Sequence, residues 1–228
     1  MVEVSTSLLT AKEENIIQTI YDLEVAKTDY FHIDVMDGNF VENNTTEKMR
    51  KYTEYIKNVS NLPIDVHLMV NNVENYVKDY LNMEVNCITF QIEALKKEKQ
   101  VQELISYIKE NNCKVGLAIS PKTPIEKIYK YIPYIHKVIV ITVEPGKGWQ
   151  ELIPEVITKI SSLNKFIYEN SYEVDIQVDG GINNITSKQV IDAGADILVA
   201  GSYIINSEDF SRSIKTLKCV PKGTLPNG

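Results

Sequence analysis

Cysteine is scarce in this chain. The three present among 228 residues, Cys87, Cys113 and Cys219, are an odd number and form no CxxC pair, so neither a disulfide framework nor a zinc ribbon is implied. Ordinary buried or surface thiols in a reducing cytoplasm are the simpler reading. No apolar run approaches the ~20 residues of a membrane-spanning helix, and the opening MVEVSTSLLTAKEEN is too acidic and too poor in apolar residues for a signal peptide. A membrane partner is therefore not expected. Positive charge is in deficit too: 24 Lys and Arg against 31 Asp and Glu give a formal charge of −7. That argues against nucleic acid as a partner, which calls for a basic face. A GxGxxG turn after an early strand is missing, which weakens any dinucleotide-binding reading. A small anion is not excluded, because main-chain amides bind anions whatever the net charge.

What remains is ordinary globular material, 43% hydrophobic and 24% charged, of a length that suits one domain. Short β-branched and aromatic runs alternate with polar stretches of helical period. Eight strand candidates can be counted: Val2–Leu9, Tyr30–Val35, Ile64–Leu68, Cys87–Phe90, Lys114–Ala118, Lys137–Thr142, Val174–Val178 and Ile197–Ala200. Between them lie amphipathic stretches such as Glu13–Ala26, Val101–Asn111, Ile153–Asn170 and Thr186–Ala193, long enough for crossover helices. Eight strands at this spacing suit a closed (β/α)₈ barrel over residues 1–217 better than an open sheet. The segment Lys218–Gly228, rich in Pro, Gly and Lys, reads as a flexible tail.

Strand side chains repeat every two residues, so FHIDVM puts His32, Asp34 and Met36 on one face. IDVHLM does the same for Asp65, His67 and Met69, and IQVDGG sets Asp179 at the end of the seventh strand. In a barrel the shared face is the interior. Two imidazoles and two carboxylates converging from separate strand ends, His32, Asp34, His67 and Asp179, would suit one divalent transition metal; zinc, iron(II), manganese and cobalt all accept such a set. Each of the four alone could equally be a buried polar group satisfied by hydrogen bonds. The set tips the balance, because two of the chain's three histidines sit at strand ends beside acids. His136, at the start of the sixth strand, falls at the opposite end and reads as structural.

The later strands run into TVEPGKGWQ, DGGIN and AGSYI, which places Gly146, Gly148, Gly180, Gly181, Gly201 and Ser202 at the barrel mouth. Barrels often hold phosphate in these loops on main-chain amides. Any one such turn is an ordinary loop; their concentration on the last three strands favours a ligand.

The segments STSLL, FHIDVMDGNFVENNT, DVHLMV, ITFQIEA, GLAISPKTP, VIVITVEPGKGWQ, QVDGGIN and GADILVAGS resemble, in order and spacing, the signature segments of the ribulose-phosphate 3-epimerase family. The resemblance implies a metal-dependent 3-epimerase of a ketose phosphate, D-ribulose 5-phosphate first and D-allulose 6-phosphate as second choice. A barrel that binds a sugar phosphate without turnover is the reading from another class. By the same resemblance His32, Asp34, His67 and Asp179 are metal ligands, and Asp34 and Asp179 double as the acid/base pair. Ser7, His67, Met36 and Met69 face substrate. Relatives are often dimers or larger, so a homo-oligomer is implied. The chain departs from the family's usual motifs at Glu42 for proline, Gln91 for histidine, Ile141 for methionine, and Lys147 and Trp149 for Phe and Gly. The last two sit in a loop expected beside substrate, where they would add charge and reshape space.

Overall fold

The computed structural model describes residues 2–146 and 150–220. Eight parallel strands close into a barrel in chain order: β1 Glu3–Ser7, β2 Tyr30–Met36, β3 Ile64–Met69, β4 Cys87–Gln91, β5 Lys114–Ile119, β6 Lys137–Ile141, β7 Asp175–Asp179 and β8 Ile197–Ala200. Between β1 and β8 lie helices α1 Ile16–Val25, α2 Thr46–Val59, α3 Val73–Asn82, α4 Glu98–Glu110, the short α5 Glu126–Tyr129, α6 Val156–Glu169 and α7 Thr186–Asp192. Two more, α8 Ser202–Ile205 and α9 Phe210–Lys218, follow β8. Every strand begins and ends within two residues of its expected place.

The strands are buried on both faces, as parallel strands under a jacket of helices must be. Outward residues such as Phe31, Ile33, Val35, Val66 and Leu68 join one continuous apolar shell with the inner faces of the helices. Each fully buried side chain of this kind contributes about 1.5–3 kcal/mol. Inward apolar residues form a separate small cluster, Ala118, Ile139, Ile141 and Val143. The rest of the interior along β1 to β7 is largely polar, including Ser5, His32, Asp65, Thr89, Lys137 and Gln177, all buried. That polarity is paid for by apolar burial outside the sheet.

Helix ends repeat one device. Lys27, Glu84, Asn112 and Ser171, just after α1, α3, α4 and α6, all have positive φ. At three of them the next amide reaches back to the helix: Thr28 to Leu23, Cys113 to Ile108 and Tyr172 to Ile167. This caps the last carbonyls and turns the chain into the following strand.

The expected tail begins too early. Lys218 closes α9, and its ammonium donates to the Lys27 carbonyl at 2.6 Å and to Asp29 at 2.7 Å. The Pro and Gly beyond it hid the fact that the apolar period of Phe210, Ile214 and Leu217 runs to that point. Residues 221–228 lie outside the described residues, as do Lys147, Gly148 and Trp149.

Candidate metal centre

Parallel pairing of β2 with β3 sets His32 beside Asp65, Asp34 beside His67 and Met36 beside Met69. Two alternating strands in this register stack an acid, an imidazole and a thioether on the inner wall, and β7 brings Asp179 to the same height. One atom from each of His32, Asp34, His67 and Asp179 falls within 4.8 Å of all the others. Asp34 Oδ1 is 3.3 Å from His32 Nε2 and 3.5 Å from His67 Nδ1. Asp179 Oδ2 is 3.7 and 3.3 Å from the same nitrogens. Ligands about 2.0–2.1 Å from a tetrahedral ion stand about 3.4 Å apart, close to these four spacings. Both ring nitrogens are buried and without a hydrogen-bond partner, a costly condition that a cation would relieve. These residues can therefore hold a metal.

The other nitrogen of each ring is engaged. His32 Nδ1 faces Asp65 Oδ2 at 2.9 Å, while His67 Nε2 lies 3.1 Å from the Gln91 amide nitrogen. Asp65 is in turn ion-paired with Lys137 and accepts from Gln177 at 2.7 Å. Burial pushes the Asp65 carboxyl up, but Lys137 and His32 outweigh it and hold it below the usual carboxylate range. Asp34 is held low in the same way: burial opposes ionisation, and His32 and His67 more than compensate. Its second oxygen accepts from the Ser7 hydroxyl at 2.6 Å.

Beside the four clustered side chains opens a cavity whose lining includes Ser7, Asp34, Met36, Met69 and Asp179, with Gly146, Gly180, Gly181, Gly201 and Ser202. His32 and His67 are fully buried and cluster with Asp34 and Asp179 of its lining. The structure thus brings together every site residue expected from sequence except Gly148, which lies outside the described residues. Gly146 has φ +98° and a Cβ there would meet Val41 at 2.6 Å; Gly181 has φ +65° and would meet the Leu152 amide nitrogen at 2.7 Å. Both turns thus require glycine. Among the described residues, the amides of Gly181, Gly201 and Ser202 donate to no other main-chain group, as an anion cradle requires.

Other lining residues escaped the sequence reading: Leu9, Thr10, Val143, Gln150, Ile182 and Val199. So did Lys137 and Gln177, while Asp65 was read as inward-facing but given no role as their partner. For these three a signal existed, since each lies in a two-residue period with an expected or neighbouring inward residue. His136, as expected, serves the far end, where its Nδ1 accepts from the Val115 amide at 3.2 Å. Ile141 lines the cavity, and Glu42 is exposed.

The sequence profile of the ribulose-phosphate 3 epimerase family matches residues 3–205. The chain belongs to this family. The ribulose-phosphate 3-epimerase of Methanocaldococcus jannaschii is 38% identical over 218 residues, covering 96% of this chain and 90% of that protein. The Bacillus subtilis ribulose-phosphate 3-epimerase is 33% identical over 219 residues, covering 96% and 99%. Among solved structures, 3-hexulose-6-phosphate synthase from Salmonella typhimurium superposes with a TM-score of 0.68 at 14% identity, covering 96% of this chain and 97% of that one. That likeness speaks to the barrel alone. Among the described residues no helix is long and apolar enough to cross a membrane.

Proposed function

We propose that this member of the ribulose-phosphate 3-epimerase family inverts carbon 3 of a ketose phosphate, D-ribulose 5-phosphate to D-xylulose 5-phosphate, by two-base proton transfer. The observation that carries the reading is the placement of Asp34 and Asp179 at the floor of one cavity, converging on the same pair of unpartnered ring nitrogens. A divalent ion held by His32, Asp34, His67 and Asp179, whether zinc, iron(II), manganese or cobalt, would supply Lewis acidity that loosens the proton beside the ketone.

The chain's own residues do the rest. One aspartate takes the proton from one face of the sugar, leaving a planar enediolate, and the other returns it from the opposite face. Two acids are needed because one returns the proton only to the side it came from. Their settings differ: Asp34 is deeper, with its side chain 6% exposed and held by Ser7, whereas Asp179 is 19% exposed. That difference gives the two carboxyls unlike surroundings. Met36 and Met69 offer an apolar, polarisable wall beside the reacting carbon. The substrate's phosphate is held by main-chain amides at Gly146, Gly148, Gly181, Gly201 and Ser202, in keeping with the cradle described above. An apolar stripe on α1, Ile17, Tyr21 and Val25, each more than half exposed, supports a homo-oligomer, which sedimentation velocity would detect.

The test is a coupled assay of metal-loaded protein against five- and six-carbon ketose phosphates. D-ribulose 5-phosphate should have the highest kcat/KM. A panel in which no ketose phosphate exchanges its carbon-3 proton with deuterated water overturns the proposal.

A further inference from the structure

The two ring ligands are oriented by unlike partners. His32 Nδ1 faces a carboxylate, Asp65 Oδ2, at 2.9 Å. A carboxylate only accepts, so it favours the ring proton on Nδ1 and leaves the Nε2 lone pair for the centre; the Gln177 amide nitrogen lies farther off, 3.4 Å from Nδ1. His67 faces a neutral amide instead. Gln91 is fully buried on β4, with Nε2 3.1 Å from His67 Nε2 and Oε1 buried without a partner.

An amide has one accepting and two donating positions of nearly equal size, and its assignment follows from the hydrogen-bond network. With the nitrogen inward, His67 Nε2 must accept. The ring proton then sits on Nδ1 and points between Asp179 and Asp34, 3.3 and 3.5 Å away. In that state His67 has no lone pair for a cation. With the amide turned by half a rotation, Oε1 accepts from Nε2–H and Nδ1 presents a lone pair to the centre. Turning exchanges atoms of like size, so it needs no repacking, and it gives the buried Oε1 the partner it lacks.

Resting on the metal-centre reading above, we propose that Gln91 is a positioning residue: the orientation of its amide selects the His67 tautomer, nitrogen inward without metal and oxygen inward with it. His32 is thereby a ligand fixed in its tautomer, and His67 one that is switched into service.

Cobalt(II) affinity, read from visible absorption in competition with a chelator, and long-range proton–nitrogen NMR of the His67 ring test this on the full chain. Gln91→Met removes the partner and should weaken cobalt binding about 10- to 100-fold. Gln91→Glu, which can only accept when ionised, should bind at least as tightly as wild type. In wild type, zinc should move the His67 proton from Nδ1 to Nε2. Far-ultraviolet circular dichroism confirms that both variants fold, and should Gln91→Met fail to, the Gln91→Glu variant and the wild-type NMR decide. Cobalt affinity of a folded Gln91→Met protein within twofold of wild type, or an unchanged His67 tautomer on adding zinc, overturns the proposal while leaving the metal centre intact. Cobalt binding that survives His32→Ala unchanged overturns both together.

Discussion

Two layers of ionisable side chains are stacked inside this barrel, built from similar parts. The upper layer, His32, Asp34, His67 and Asp179, aims unpartnered ring nitrogens and carboxylate oxygens at one point and opens on the cavity. The lower, Asp65 and Lys137 with Gln177 beside them, closes on itself: the ammonium meets one carboxylate oxygen, and His32 and Gln177 meet the other. Both set acids beside nitrogen groups inside the barrel. What separates a site from its support is whether the charges are already matched. The lower layer spends its charge on fixing His32, and the upper keeps its own available.

The comparison breaks most visibly in the upper layer. Asp179→Asn keeps size and an oxygen that can still touch a metal, yet lacks the carboxylate. Turnover should fall by at least about 10²- to 10⁴-fold, measured with metal content determined alongside. A metal-replete mutant with wild-type turnover would end the two-base scheme.

In the lower layer the loss should be one of stability. Lys137→Met strands Asp65 as a buried unpaired charge and should cost about 3–5 kcal/mol in urea unfolding of the metal-free protein. Joint replacement, Asp65→Leu with Lys137→Met, should recover most of that while leaving His32 without its anchor. The pH dependence has a defined sign. Folding lowers the Asp65 pKa, so its contribution is present above the ordinary carboxylate value near 4 and drains away as pH falls toward the folded one. The stability gap between wild type and Asp65→Asn should hold through neutrality and narrow only in strong acid. A gap that widens below pH 4 contradicts the pairing.

A smaller effect is expected at the mouth, where main chain and not charge does the binding. Gly181→Ala forces a side chain into a left-handed turn against Leu152, which should cost about 1–3 kcal/mol locally. KM for the phosphorylated substrate should rise more than kcat falls. Equal loss in both would place Gly181 in the chemistry instead. The mildest test is chemical. Burial pushes the Cys87 thiol, beside Lys137, up to about 11 and Cys113 up to about 12, leaving little thiolate at pH 8, whereas Cys219 is exposed. Native protein should label rapidly at Cys219 alone. Fast labelling of Cys87 would show that the lower layer is open to solvent.

Nearly all of the barrel was legible in the sequence because period two and period 3.6 are each written several times over. Three of the four clustered residues were legible for the same reason, since His32 alternates with Asp34 and His67 with Asp65; Asp179 was legible as the acid at a strand end before two glycines. The partners of those ligands were not. Whether Asp65 meets His32, Lys137 or neither depends on strand register across the barrel, and Asp65 and Lys137 lie far apart in the chain. Gln91 stood out as a departure from the family motif, but its orientation toward the His67 ring is a matter of ångströms, not of spacing. The end of α9 was missed because Pro and Gly just beyond it outweighed the short run of periodic residues before it.

Closure of the barrel between β1 and β8 pairs Glu3 with Ile197, and the ligands are drawn from β2, β3 and β7. During synthesis, then, the growing chain carries both clustered histidines from early on but acquires Asp179 only when seven strands have been made. A full set of the four clustered side chains thus exists only once β7 is in place, so an ion held by all four would meet a nearly finished barrel.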